Sequence, residues 1–113
     1  MNQPHVPIPA VFRRVDAPDA PRLTVSGEVD LSVAVPFQQH LEELVESASS
    51  PALVDLSHVT FMDSSGLAAL AAAQREATDR GAEIVLLNCS EPVQRVIEIT
   101  GLDSVLRLER CES

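Results

Sequence analysis

The sequence predicts one α/β domain: a mixed, mainly parallel sheet of four to five strands, with an antiparallel hairpin strand at its N-terminal edge and helices packed on the sheet. Three observations carry this. A chain of 113 residues has room for a single core that hides about two-thirds of its unfolded surface. The hydrophobic pattern switches along the chain between the strand period and the helix period, and parallel strands joined in this way need helical crossovers. The run Ala52-Leu53-Val54-Asp55-Leu56 is short, mostly apolar and bounded by turn residues, as expected of a buried central parallel strand.

The elements follow in order. Pro4, Pro7 and Pro9 fix backbone angles and remove amide donors, so residues 1–9 are expected to form an extended, flexible arm, with the domain spanning residues 10–110. Val11 to Val15 and Leu23 to Val25 flank Ala17-Pro18-Asp19-Ala20-Pro21, a turn-forming run, which predicts a hairpin with strands near 10–16 and 22–26. Phe37, Leu41, Leu44, Val45 and Ala48 then recur at helical spacing. Pro36 is acceptable only in a first turn, so this helix is expected to start near Val33 to Val35 and to stop at Ser49-Ser50-Pro51. After the central strand, Ser57 to Met62 reads as an irregular loop. A second helix is expected from Ser64 to Arg80, with Leu67, Leu70, Ala71, Gln74 and Ala77 as its core stripe and Gly81 as its stop. Glu83 to Leu87 predicts a fourth strand. Ser90-Glu91-Pro92 opens a short third helix with Val93, Val96 and Ile97 on one face and Gly101 at its end, and Val105 to Glu109 predicts a last strand.

Composition narrows the function. Eight basic residues against 17 acidic ones leave a net charge of -9, so a phosphate backbone or an anionic membrane repels the chain. Aromatics make up 3% of it, without Tyr or Trp, so a stacking platform for bases is missing as well. Neither nucleic acid nor membrane is an expected partner. Every basic residue is an arginine, which removes the lysine that phosphate-binding loops and Schiff-base chemistry require. Cys89 and Cys111 are too few for a disulfide scaffold; they read as two unrelated reduced thiols, with a redox pair as the minor alternative. His5, His40 and His58 lack metal-ligand spacing, so a metal site is not expected. The N-terminus lacks the features of a signal peptide, and the expected location is the cytoplasm.

The candidate site is Met62-Asp63-Ser64-Ser65-Gly66-Leu67, where a loop is expected to become the second helix. Taken alone, Asp63 or Ser64 is a helix cap and nothing more. Two features favour a binding surface. Ala68, Ala69 and Ala72 fall off the expected core stripe, so they read as a flat outward face beside Ser64 against which a partner helix can lie. Glu28 and Asp30 follow the second strand and should end at the same sheet edge, placing acidic groups around a serine. A phosphoryl group on Ser64 would add about -1.5 to -2 charge beside Asp63, which the fold can bear and a docked partner need not.

Three stretches are distinctive together: Ser26-Gly27-Glu28-Val29-Asp30; Val54-Asp55-Leu56-Ser57-His58-Val59-Thr60-Phe61-Met62-Asp63-Ser64-Ser65-Gly66-Leu67; and Thr100-Gly101-Leu102. From about Val11 to Glu109 they closely resemble the STAS domain of bacterial anti-sigma factor antagonists. The resemblance implies partner switching. The unphosphorylated protein captures an anti-sigma factor that is also a serine kinase, which frees the sigma factor, and the kinase then phosphorylates the first serine of the pair. By position that acceptor is Ser64, with Asp63 beside it, Ser65 and Gly66 shaping the turn, and Glu28 and Asp30 on the neighbouring loop. ATP and magnesium belong to the kinase, so the chain itself needs no cofactor, and a separate PP2C-like phosphatase restores the active form.

Three rival readings use the same residues or the same fold class. Ser64, His58 and Asp55 contain the residue types of a hydrolytic triad, but the G-x-S-x-G elbow is missing. A two-component receiver is expected to carry a lysine near its last strand, and this chain has none. Within the same fold, the alternative is a non-catalytic STAS accessory subunit of a lipid transporter or signalling scaffold, which fold alone does not separate from the antagonist.

Overall fold

The computed structural model describes residues 6, 8–16, 21–47 and 51–110. Strand β1 (Val11–Asp16) pairs antiparallel with β2 (Pro21–Val29), from Val11 opposite Ser26 to Asp16 opposite Pro21. Residues 17–20 of the expected turn lie outside the described residues. β2 runs to Val29, beyond the expected end at 26, because its second half pairs with the next strand. A 3-10 turn at Leu31–Val33 leads into helix α1 (Ala34–Ser47), which buries Phe37, Leu41, Leu44 and Val45 as the helical spacing requires. The expected stop at Ser49 and Ser50 lies outside the described residues, as does Ala48.

Strand β3 (Ala52–Met62) is the central strand and is twice as long as expected. The loop assigned to Ser57–Met62 is instead strand, held by parallel pairing to β2 as far as Val29 opposite Met62, with register shifts between Thr24 and Ser26 and between Gly27 and Glu28. Helix α2 (Ser64–Asp79) follows after one residue and stops at Arg80 and Gly81, whose φ of +72° is the left-handed conformation anticipated for a helix end. Strand β4 (Ile84–Leu87), helix α3 (Glu91–Thr100) and strand β5 (Arg107–Glu109) complete the chain. Gly101, at φ +76°, ends α3. β5 is shorter than expected because Val105 and Leu106 still donate backwards to the carbonyl of Leu102, at 3.0 and 2.8 Å.

The strands lie in the order β1-β2-β3-β4-β5, with only the first pair antiparallel. Each crossover therefore steps one strand in the same direction, and right-handed crossovers of that kind put all the helices on one face of the sheet. The core agrees: one buried cluster joins Leu23 and Val25 of β2, Val54 and Leu56 of β3 and Leu86 of β4 to Leu41 of α1, Leu70 of α2 and Ile97 of α3. Phe12 clamps the edge strand to the same side, its ring 5.7 Å from Phe37 and 4.9 Å from His40. The consequence for function is geometric. Strands β2 and β3 are parallel and adjacent, so both deliver their C-terminal ends to the edge where α2 begins.

Candidate functional site

Asp63 is the single residue between β3 and α2, extended at φ -101° and ψ -173°. Its amide donates to the carbonyl of Val29 at 3.2 Å, which continues the β2–β3 pairing into the turn. One carboxylate oxygen accepts from the amides of Ser65 (2.9 Å) and Gly66 (3.4 Å) and from the Ser65 hydroxyl. These are orphan donors of a helix start, so Asp63 is an N-cap. Partial burial pushes its carboxyl upward, but the bonds from the Ser65 hydroxyl and from the Ser65, Gly66 and Leu31 amides outweigh that and hold it below the usual carboxylate range. Leu31 belongs to the β2–α1 loop, which reaches the start of α2. Across that loop, Asp30 caps the 3-10 turn by accepting from Ser32, 3.0 Å to its amide.

The two serines are not equivalent. Ser65 is half-buried with its hydroxyl committed to Asp63, whereas Ser64 is exposed and its hydroxyl has no partner among the described residues. Gly66 is buried beneath them. A Cβ there would stand 2.7 Å from Met62 Cγ and 3.0 Å from Val29 Cγ1, so only glycine lets the first turn of α2 rest directly on the ends of β2 and β3. Gly66, expected to help shape the turn, supports it from below and is buried there.

The placement of Ala69 is corrected. It was expected to face outward with Ala68 and Ala72, but it is 4% exposed, while Ala68 is exposed and Ala72 half-buried. The helix packs against α1 as well as the sheet, so its buried sector widens to Gly66, Leu67, Ala69, Leu70, Ala73 and Ala77. Ala71 and Gln74, placed in the core stripe, sit at its margin, and Gln74 Oε1 accepts from the Ile84 amide at 3.3 Å. The sequence reading missed the exposed apolar residues around this edge: Leu31, Val35 and Phe61, at 77, 65 and 47% exposure. Leu31 precedes the helix and Val35 falls off its Phe37–Leu41 stripe, which is the signal that distinguishes them from core.

Glu28 lies opposite Phe61 in the β2–β3 register, and Asp30 follows two residues on. The acidic groups thus reach the expected edge. The triad does not assemble. Asp55 accepts from the Ser57 amide and hydroxyl at 2.9 and 2.7 Å, and His58 Nδ1 lies 3.0 Å from the Ser57 hydroxyl, leaving Ser64 outside that network. Cys89 is buried, and burial pushes its thiol up to about 11, which makes it a poor nucleophile at neutral pH. Cys111 lies outside the described residues, as does His5. A polar groove of about 820 Å³ runs beside α3, but its arginines are engaged, Arg95 with Glu91 and Arg110 with Gln94, both at 3.1 Å. No group of three or more potential metal-ligating side chains occurs among the described residues, nor does any helix there have the length and apolarity to cross a membrane.

Residues 12–108 match the family model described as Mlab, STAS domain. Over 88 residues the chain is 32% identical to an anti-sigma-B factor antagonist of Listeria monocytogenes, covering 78% of this chain and 77% of that protein. Its fold superposes on an anti-sigma factor antagonist from Mycobacterium paratuberculosis with a TM-score of 0.78 and 28% identity, over 88% of this chain and 85% of the other. The phosphorylated form of the Bacillus cell fate determinant SpoIIAA gives a TM-score of 0.70 at 19% identity, over 91 and 93% of the two chains.

Proposed function

This chain belongs to the STAS-domain family, and from that premise we propose that it is a non-catalytic anti-sigma factor antagonist whose partner is a serine-kinase anti-sigma factor. With Ser64 unmodified, the edge formed by the β2–α1 loop and the start of α2 captures the kinase and frees its sigma factor in the cytoplasm. Phosphorylation of Ser64 by that kinase ends capture, and a PP2C-like phosphatase restores it. Glu28, Asp30, Asp63 and Ser65 frame the contact, and Ala68 and Ala72 extend it along α2.

The observation that carries this reading is the division of labour between neighbouring hydroxyls. Ser65 is held by the capping carboxylate, whereas Ser64 stands exposed at the first position of the helix. A kinase reaches Ser64 without breaking a hydrogen bond. The phosphoryl group would sit beside Asp63, partly stabilised by the helix N-terminus, so the fold survives modification. A partner built for that acidic, partly apolar edge would meet extra negative charge and bulk where it docks. Losing contacts worth roughly 3 to 4 kcal/mol lowers affinity several-hundredfold. The SpoIIAA fold has a phosphorylated form, in keeping with an architecture that tolerates the modification.

The test is incubation with the serine-kinase anti-sigma factor and ATP, followed by intact-mass measurement and site mapping. One phosphoryl group on Ser64, lost in Ser64→Ala, is the expected result. An unchanged mass, or modification elsewhere, contradicts the reading. An accessory subunit of a lipid transporter or scaffold makes no use of a phosphorylatable Ser64, so the same measurement separates the two.

A further inference from the structure

Gly27 has a structural duty that partner switching at Ser64 does not require. Its φ is +84°, and a Cβ built there would lie 2.2 Å from the carbonyl oxygen of Pro9. Only a glycine lets the chain before β1 lie this close to β2. The contact is fastened by the Glu28 amide, which donates to the carbonyl of Ile8 at 3.0 Å. Ile8 and Pro9, which the sequence places in the arm, thus continue the edge of the sheet past the end of β1. They do so at the height where β2 and β3 approach Ser64.

The seated arm creates a surface. Ile8, Glu28, Thr60 and Phe61 line a depression of about 590 Å³. Ile8 and Phe61 are 50 and 47% exposed. Of the three phenylalanines, Phe37 is buried and Phe12 stacks on it, so Phe61 alone turns an aromatic ring to solvent beside the site. Phe61 precedes Ser64 by three residues, which at strand spacing puts the two within about 10 Å along the chain. Half-exposed aromatic and aliphatic side chains at such a spot are the type that anchor protein interfaces.

We infer that the arm residue Ile8, seated by Gly27, and Phe61 form a second anchor point of the Ser64 docking surface, taking a large apolar side chain flanked by Arg or Lys on the anti-sigma factor. The inference rests on the proposed function. The occupant's chemistry follows from charge: Asp30 and Asp63 stand at the same edge, and the chain carries -9 overall. A cationic segment with one protruding apolar residue complements both the acidic rim and the apolar floor. Thr60 and Phe61 of the depression lie in the last three residues of β3, which leads through Asp63 to Ser64, so one partner segment can span both.

Titration of the purified serine-kinase anti-sigma factor with wild type, Ile8→Ser, Phe61→Ser, Gly27→Ala and Ser64→Glu tests this. Ile8→Ser and Phe61→Ser, both at half-exposed positions, are expected to remain folded by circular dichroism, with a lowered urea midpoint, and to bind about tenfold more weakly without urea at a temperature where each is fully native. Gly27→Ala changes no surface side chain. It is expected to release the arm, seen as faster hydrogen exchange of the Glu28 amide, and to weaken binding in the same direction. Unchanged affinity in Ile8→Ser and Phe61→Ser, alongside a large loss in Ser64→Glu, overturns the second anchor and leaves the Ser64 switch standing. Equal binding by Ser64→Glu and wild type sinks the proposed function itself.

Discussion

Replacing Gly66 with alanine sets two effects against each other at the base of the site. Within a helix, alanine is favoured over glycine by about 0.5 to 1 kcal/mol because the unfolded chain loses less freedom. Here the added methyl would stand 2.7 Å from Met62 Cγ and 3.0 Å from Val29 Cγ1. Met62 and Val29 are themselves buried, at 4 and 0% exposure, so neither has open space to move into. Forcing a methyl into a packed core costs about 1 to 3 kcal/mol. Propensity offsets part of that, and a net destabilisation centred on about 1.25 kcal/mol remains, within a range of about 0 to 2.5, or roughly 5 to 10 °C in Tm at the centre for a domain of this size. Urea denaturation followed by circular dichroism measures it, with the m-value checking that two-state behaviour is kept. A Gly66→Ala protein more stable than wild type would refute the argument that the first turn of α2 rests directly on the strand ends.

Asp63→Ala removes the cap for Ser65 and Gly66 and should cost about 0.5 to 2 kcal/mol in the same urea assay; a change near zero contradicts the capping role. Because the folded-state pKa of Asp63 is depressed, its contribution is complete above the unfolded value of about 3.9 and fades as pH falls through the folded one, so the Asp63→Ala penalty should shrink in acid. A penalty that stays constant from neutral pH down to the acid range rejects that linkage. Ala69→Asp places an unpaired carboxylate in the buried core cluster and should destabilise strongly or prevent folding, whereas Ala68→Asp, on the exposed face one residue away, should stay within about 0.5 kcal/mol of wild type. Equal effects at the two positions would mean the buried sector of α2 has been misplaced.

What could be read from the sequence depended on contrast. Helices α1 and α3 were legible because large aliphatics alternate with Gln and Glu in both, and the order of elements followed from the change of period between them. Helix α2 carries alanine on several sides. Only Leu67 and Leu70 marked its inner face, so the reading put Ala69 outside and Ala71 inside, whereas Ala69 is buried and Ala71 lies at the margin. The second half of β3 was illegible for another reason. Ser57, His58 and Thr60 break the apolar run, and the two register shifts against β2 break strict alternation, so strand there is imposed by pairing with a distant segment. The same applies to the arm, since nothing local to Ile8 or Gly27 states that they meet. At the site, the residues around Asp63 could be read as a cap, but that Ser65 is held and Ser64 left exposed comes from the folded geometry.

The central claim is that one exposed hydroxyl at the start of α2 governs recognition through charge. Calorimetric titration of the serine-kinase anti-sigma factor with the unmodified chain and with the same chain phosphorylated on Ser64 addresses it most directly. Affinity several-hundredfold weaker for the phosphorylated chain, the equivalent of roughly 3 to 4 kcal/mol, is the expected result; indistinguishable affinities for the two forms would contradict the account.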